Sequence, residues 1–146
     1  MSDSTCALCT ATGDAVVFQA EKFRVIRADE VGFPAFYRVV WTAHVPEFSS
    51  LDLSERNLCM AVVYAVERAL REQLQPTKIN LAALGNVVPH LHWHVIARFD
   101  WDSHFPAPVW GSPQRPVDAA AVAALAARLD DVDSAIDRAL SVSCLV

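Results

Sequence analysis

Three histidines at alternate positions are the residues of this chain best suited to chemistry: His90, His92 and His94. Because side chains alternate between the two faces of a β-strand, the three imidazoles would share one face, while Leu91 and Trp93 would face the core. A single histidine on a strand is commonly an ordinary surface or core group. Three at this spacing, in an otherwise apolar strand, indicate a functional site.

Two kinds of chemistry fit such a row of imidazoles. Neutral imidazoles at positions i and i+2 chelate Zn²⁺ from one strand. Alternatively, one imidazole acts as a nucleophile, while its neighbours orient it and bind oxyanions. The spacing by itself leaves both interpretations open.

The cysteines add a second candidate for metal binding. Cys6 and Cys9 are separated by two residues, which is the spacing of half a zinc site. A structural zinc site needs two further ligands. The alternative is that both are ordinary thiols of a frayed N-terminus. Cys59 falls on the apolar face of a predicted helix, and Cys144 has no visible role.

A sheet with one helix between strands and another after them must position these residues. An irregular loop over residues 100–116 follows the histidine strand and is long enough to line a site. Strands alternating with helices in this order predict an α+β meander in a single domain, 1–146, with an N-terminal CxxC segment (1–13) and a C-terminal helix and tail (117–146). The predicted strands cover residues 14–20, 22–27, 37–42, 79–84 and 91–99.

Two helices are predicted from apolar periodicity. Asp52 and Glu55 have the spacing of a capping box, and apolar residues then recur at helical intervals. The first helix is therefore predicted over residues 53–74, ending before Gln75-Pro76. The second is predicted over 117–140.

Composition excludes several classes of function. The 146 residues are 53% hydrophobic and 20% charged, which excludes a disordered chain. The net charge of −5 provides no global positive field for nucleic acid, so local donors must hold an anionic substrate. No signal peptide and no apolar stretch long enough to span a membrane is visible, so we expect a cytoplasmic protein with reduced thiols and no membrane partner.

The segment His90–Ile96 resembles the signature of the histidine triad (HIT) superfamily. It fits the pattern His-φ-His-φ-His-φ-φ, with φ apolar, at every position, and the order of elements matches over about 6–98. The flanking Gly85-Asn86 and Ala97-Arg98 are similar to the family's Gly-Gln and Pro-Arg. The later segment 105–111 (Phe-Pro-Ala-Pro-Val-Trp-Gly) resembles a bacterial branch that is diadenosine-tetraphosphate-hydrolase-like. The resemblance implies a HIT-like fold, an antiparallel sheet of about five strands with two main helices.

The resemblance also implies a mechanism. His92 would attack the α-phosphorus of an adenine nucleotide or dinucleoside polyphosphate, and water would then release the nucleoside monophosphate from a nucleotidyl-histidine intermediate. His94 would hydrogen-bond the phosphoryl oxygens. His90 and the strand backbone would hold the attacking ring in the required tautomer. Imidazolium and amide donors can stabilise the developing charge, so catalysis would require no metal or other cofactor.

Substrate contacts follow from the same resemblance. The Asn86 amide would help to bind phosphate, and Asp29 is the nearest match to the carboxylate that holds the ribose. Arg98 would either bind phosphate or be an exposed arginine at a strand end. Trp110, in the long loop, would either cover the second half of a dinucleoside substrate or belong to a dimer interface.

For some family members the resemblance implies zinc, with ligands at positions that match Cys6, Cys9, His44 and His90. Otherwise His44 would be a polar residue that ends a strand. The resemblance further implies a homodimer. Two alternative functions stay open: a nucleotide-binding regulatory module with little turnover, and a zinc-dependent hydrolase that uses the triad as metal ligands.

Overall fold

The sheet of this protein is antiparallel throughout and has five strands. The computed structural model describes residues 2–11 and 13–142, so Cys144 lies outside the described residues. The strands are β1 (Ala15–Gln19), β2 (Phe23–Arg27), β3 (Phe36–Trp41), β4 (Lys78–Ala82) and β5 (His92–Arg98). Their order in the sheet is β1-β2-β3-β5-β4, and every pair of neighbours is antiparallel. The predicted α+β fold with a five-stranded antiparallel sheet is confirmed.

The first long helix has the predicted bounds. Helix α2 spans Leu53–Leu74. Asp52 Oδ1 accepts from the Glu55 amide at 2.9 Å, and Glu55 Oε2 accepts from the Asp52 amide at 3.1 Å. These reciprocal bonds satisfy two donors that a helix start would leave unpaired. Gln75 ends the helix in the left-handed conformation, with φ 44°.

The C-terminal region contains two helices, so the single helix predicted over 117–140 is wrong. Helix α3 spans Ala119–Ala126 and α4 spans Leu129–Val142. Only Leu125 of α3 is buried. The break lets α4 lay an apolar stripe against α2 and β1, and Arg128 donates to the Gln73 carbonyl beside it. The buried residues of α4 are Leu129, Val132, Ile136 and Leu140.

Two short elements were not predicted. The CxxC segment contains a helical turn, α1 (Ala7–Thr10), and a 3-10 turn at Phe48–Ser50 precedes α2. The turn of α1 brings Cys6 and Leu8 against Ile26 of β2 and Val40 of β3. The N-terminal segment therefore packs on the sheet rather than fraying from it.

The two faces of the sheet have different neighbours. Helices α2 and α4 cover one face and form the main core, which takes Leu91 and Val95. The opposite face carries the histidines and the N-terminal segment. Within the described part of the chain, no helix is long and apolar enough to cross a membrane.

Candidate functional site

The three triad histidines lie together at β5 and just before it. His92 and His94 pair across the ladder with Val40 and Arg38 of β3, and His90 precedes the strand. All three are buried: the exposed fractions are 1% for His90, 9% for His92 and 5% for His94. The rings of His92 and His94 are neighbours, with centroids 4.8 Å apart. Buried imidazoles in such a row need partners, and His90 and His92 have them in backbone carbonyl groups.

Backbone carbonyl groups determine the tautomers of two of these rings. His92 Nδ1 lies 2.6 Å from the His90 carbonyl oxygen, and His90 Nε2 lies 2.6 Å from the Trp41 carbonyl oxygen. A carbonyl oxygen only accepts, so both ring nitrogens must donate. Burial lowers the pKa of both histidines and favours their neutral forms. Neutral His92 therefore carries its free lone pair on Nε2, and neutral His90 carries it on Nδ1.

A cavity of about 510 Å³ opens over His92 and His94, and we call it the triad pocket. This volume lies in the range of small-molecule sites. Gly85, with φ 69°, makes the turn that brings the 85–89 loop to its rim. The wall combines apolar side chains with a few polar ones. Its residues include Leu8, Leu84, Val88, Asp14, Arg38, Asn86 and Trp110.

His94 is packed between aromatic rings. Its centroid lies 5.0 Å from that of Trp110 and 5.5 Å from that of Phe36. Burial, assisted by His92 and Arg38, lowers the pKa of His94 to about 4. Its Nδ1 is buried and has no hydrogen-bond partner among the described residues. At neutral pH this ring is an uncharged polar group available to a ligand.

Cys6, Cys9, His44 and His90 come together in space and form what we call the Cys2His2 cluster. Their ligand atoms all lie within 4.8 Å of one another. His90 Nδ1 is 3.5 Å from Cys6 Sγ, 3.4 Å from Cys9 Sγ and 3.2 Å from His44 Nδ1. Bonds of about 2.0–2.3 Å to a tetrahedral zinc would place neighbouring ligand atoms about 3.3–3.8 Å apart. The cluster therefore has the size and donor types of a structural zinc site.

The groups around this cluster also suit a metal. His90 donates from Nε2 to the Trp41 carbonyl, which leaves Nδ1 free to coordinate. His44 Nε2 lies 3.8 Å from Asp3 Oδ2, so a carboxylate faces the side of the ring away from the cluster. Metal-bound histidines usually have such a second partner, which orients the ring.

Comparison with known families identifies the fold of this site. The HIT domain family matches residues 10–101. The chain belongs to the HIT family. Among solved structures, a histidine triad protein from Bradyrhizobium japonicum is 30% identical, with 86% of this chain and 89% of that chain covered and a TM-score of 0.68. A HIT protein from Sinorhizobium meliloti is 26% identical, with 81% and 88% covered and a TM-score of 0.64.

A Zn-bound HIT family protein from Mycobacterium smegmatis shares the fold at 21% identity, with 90% of this chain and 97% of that chain covered and a TM-score of 0.60. Comparison with curated proteins gives no significant match. Membership of the HIT family supports a nucleotide-binding or hydrolase-type function for the triad pocket.

Not every residue predicted for the HIT site lies at the pocket. Asn86 and Trp110 line it, but Asp29 does not. Asp29 is exposed and lines a neighbouring cavity of about 550 Å³ beside Glu30. The carboxylate that lines the triad pocket is Asp14, which borders both cavities. No motif marks Asp14, so the sequence alone did not indicate it.

Arg98, the last residue of β5, holds the long loop in place, and it does not line the triad pocket. It is 1% exposed, so the alternative of an exposed strand-end arginine is wrong. Its guanidinium forms two bonds to the Asp102 carboxylate, at 2.8 and 2.9 Å. Further bonds reach Asn80 Oδ1 and the Ala107 carbonyl, both at 2.8 Å. These contacts use its donors to hold the loop against the sheet, which leaves a phosphate no access to them.

Arg38 is a second residue of the HIT pocket, after Asp14, that the sequence alone did not indicate. It lies opposite His94 in the β3–β5 ladder and lines the cavity. The available signal was a single charge inside the apolar run 36–41. The pairing of β3 with β5 places Arg38 beside the triad, and the sequence alone does not reveal that pairing.

Proposed function

We propose that this HIT protein is a nucleotide hydrolase or transferase that cleaves a phosphoanhydride or phosphoramidate bond at the α-phosphorus of an adenine nucleotide. The observation that carries the proposal is the hydrogen bond from His92 Nδ1 to the His90 carbonyl oxygen at 2.6 Å. It directs the free lone pair of a neutral imidazole to Nε2, in a ring that lines the cavity. An orienting bond of this kind is what a nucleophilic histidine needs.

The proposed reaction has two steps at phosphorus. In the first, His92 Nε2 forms a bond to the α-phosphorus while the bond to the bridging oxygen or nitrogen breaks, and the leaving group keeps the electron pair. In the second, water attacks the nucleotidyl-histidine. The bond from phosphorus to Nε2 breaks, its electron pair returns to the ring, and the proton of the water passes to solvent. The product is a nucleoside monophosphate.

Other pocket residues have roles in this proposal. The His94 ring and the amide of Asn86 line the cavity, and each would donate a hydrogen bond to a phosphoryl oxygen. Asp14 is better placed than Asp29 to accept from ribose hydroxyls, because it lines the triad pocket. Trp110, 51% exposed at the rim, would cover the substrate.

The Cys2His2 cluster is proposed to hold one zinc ion. Cys6, Cys9, His44 and His90 would be its four ligands, and the metal would supply a cross-link between the N-terminal segment and the start of β5. The contacts of His90 argue against the alternative in which all three triad imidazoles bind one metal. Its Nδ1 faces the cysteines, and its Nε2 donates to Trp41.

Two further expectations belong to this proposal: a cytoplasmic location and a homodimer. Strand β4 is an edge of the sheet, and Leu81 on it is 48% exposed. An edge strand with an apolar side chain is suited to pairing with a second copy of the chain.

Mass spectrometry under non-acidic conditions tests the reaction. The protein would be incubated with a panel of adenine nucleotides, including diadenosine tetraphosphate and adenosine phosphoramidate. We expect a nucleotidyl adduct that maps to His92, together with release of AMP. The His92→Ala variant should bind nucleotide nearly as well as wild type but form no adduct and no product. Full activity in that variant would exclude His92 as the nucleophile, and binding without turnover by wild type would favour the regulatory module.

A further inference from the structure

Arg38 places a positive charge on the central strand of the sheet, on the face that carries the triad. It lies opposite His94 in the β3–β5 ladder, so both side chains leave the sheet on the same side. Its side chain is 22% exposed and lines the triad pocket with Asn86. Removing a guanidinium from water is unfavourable unless it gains hydrogen bonds or an opposite charge, so Arg38 needs such partners.

The hydrogen-bonding capacity of this guanidinium is only partly used. Nη2 donates to Glu30 Oε1 at 3.2 Å, and the Glu30 side chain is 44% exposed. Nε is buried and, within residues 2–11 and 13–142, has no hydrogen-bond partner. The ring of Phe36 covers the group at 5.4 Å. A buried donor without a partner is unfavourable, so the protein itself does not satisfy the full donor set of this guanidinium.

The charge of Arg38 acts on both pocket imidazoles. Burial is the main cause of the lowered pKa values of His92 and His94, and the positive charge of Arg38 lowers both further. Independently of these shifts, Arg38 lies opposite His94 in the ladder and lines the same cavity as both imidazoles. Arg98, the other arginine considered for phosphate, is committed to Asp102 and has no such access.

We propose that Arg38 binds the phosphate chain of the leaving group and makes the pocket selective for phosphoanhydrides over phosphoramidates. This inference rests on the proposed function and names the substrate class of the same pocket. When the anhydride bond breaks, the bridging oxygen keeps the electron pair, and the leaving phosphate gains one negative charge. A guanidinium presents parallel donors that match phosphate oxygens. A phosphoramidate nitrogen takes the electron pair and a proton from solvent, so the departing amine is neutral and gains little from a cation.

Binding of AMP and ADP tests the contact without turnover. Both nucleotides would be titrated calorimetrically into His92→Asn protein, with and without the additional Arg38→Gln change. We expect Arg38→Gln to weaken ADP binding by about 10- to 100-fold, the effect of losing charge-assisted hydrogen bonds, and AMP binding by less than about threefold. Arg68→Gln, on the exposed side of α2, is a control that removes the same charge far from the pocket.

Turnover gives an independent measure in proteins with His92 intact. We expect Arg38→Gln to lower kcat/KM for diadenosine tetraphosphate at least about tenfold more than for adenosine phosphoramidate. Arg38→Lys should lose less kcat/KM than Arg38→Gln, because lysine keeps the positive charge but lacks the parallel donors of a guanidinium. Equal losses for both substrates, or for AMP and ADP, would overturn the assignment to the leaving group, and unchanged values would overturn any role in binding.

The proposed function can fail separately. Wild-type protein that turns over neither substrate would overturn that function, while the comparison of AMP with ADP would still decide where Arg38 binds. If neither nucleotide binds to the wild-type pocket, both proposals are overturned.

Discussion

His90 orients the ring of His92 with its carbonyl group, at 2.6 Å from His92 Nδ1, while its own side chain belongs to the Cys2His2 cluster. The same residue thus connects the candidate metal centre with the candidate nucleophile. Its Nδ1 faces Cys6 and Cys9, and its carbonyl group determines which nitrogen of His92 is free to react. A change in the cluster that displaces His90 would therefore also affect the orientation of His92.

Removal of one cysteine should therefore affect both metal content and activity. We expect the Cys9→Ser variant to lose most of the one zinc per chain expected for wild type. The free energy of unfolding should fall by several kcal/mol, since metal binding stabilises the folded state. Metal analysis and denaturant unfolding, each with and without a chelator, measure these effects. Turnover should fall as well, because His90 would keep its bond to the Trp41 carbonyl but lose its anchor in the cluster.

Cys59→Ala provides the matched control for the zinc prediction. Cys59 is buried in the main core, away from the cluster, so its loss should leave the zinc content unchanged. Wild-type protein that contains no zinc, or a Cys9→Ser variant that keeps a full equivalent, would contradict the assignment of the cluster.

The buried His94 should cause the free energy of unfolding to decrease as the pH falls. Burial lowers its pKa from 6.5 to about 4 in the folded chain. The unfolded chain therefore takes up this proton first, and the stabilisation is complete above about pH 6.5 and is lost as the pH falls from there towards 4. The loss from this one group would amount to about 3 kcal/mol.

Urea unfolding at several pH values between 7.5 and 4.5 measures this loss. The His94→Gln variant should show a shallower decline than wild type over that interval. The zinc ligands respond to acid in both proteins, so the difference between the two curves isolates His94. Parallel curves would show that His94 does not titrate as described.

The buried pair of Arg98 and Asp102 should dominate the stability of the long loop. Asp102 accepts two bonds from Arg98 and three from the backbone amides of Phe99, His104 and Phe105. Asp102→Ala leaves a buried guanidinium without its partner and should lower the free energy of unfolding by about 3–5 kcal/mol. Asp100→Ala, at an exposed position two residues away, should change it by less than about 0.5 kcal/mol. Similar values for the two variants in denaturant unfolding would refute this view of the pair.

Local patterns were sufficient to predict the elements that carry their own signals. Helix α2 has a capping box at one end and Gln75-Pro76 at the other, so its bounds follow from neighbouring residues. The spacing of His90, His92 and His94 likewise predicted a row of imidazoles near β5. Both patterns are complete within a few residues and need no knowledge of distant contacts.

Features that depend on distant contacts could not be predicted in the same way. No Gly or Pro separates α3 from α4, and the alanines around residue 127 favour a continuous helix. The chain nevertheless breaks there, and α4 then packs against α2 and β1. The burial of Arg98 depends on Asp102, which comes from an irregular loop. Arg38 could be assigned to the pocket only from the pairing of β3 with β5.

The alternation of side chains along residues 90–96 subjects one short segment to two unrelated kinds of selection. His92 and His94 face the pocket, while Leu91 and Val95 fill the core on the other side. Substitutions at neighbouring positions would fail for different reasons, loss of chemistry at one and loss of folding at the next. Few positions of this segment can therefore accept a neutral substitution. The segment should change more slowly in evolution than a segment that served only catalysis or only folding.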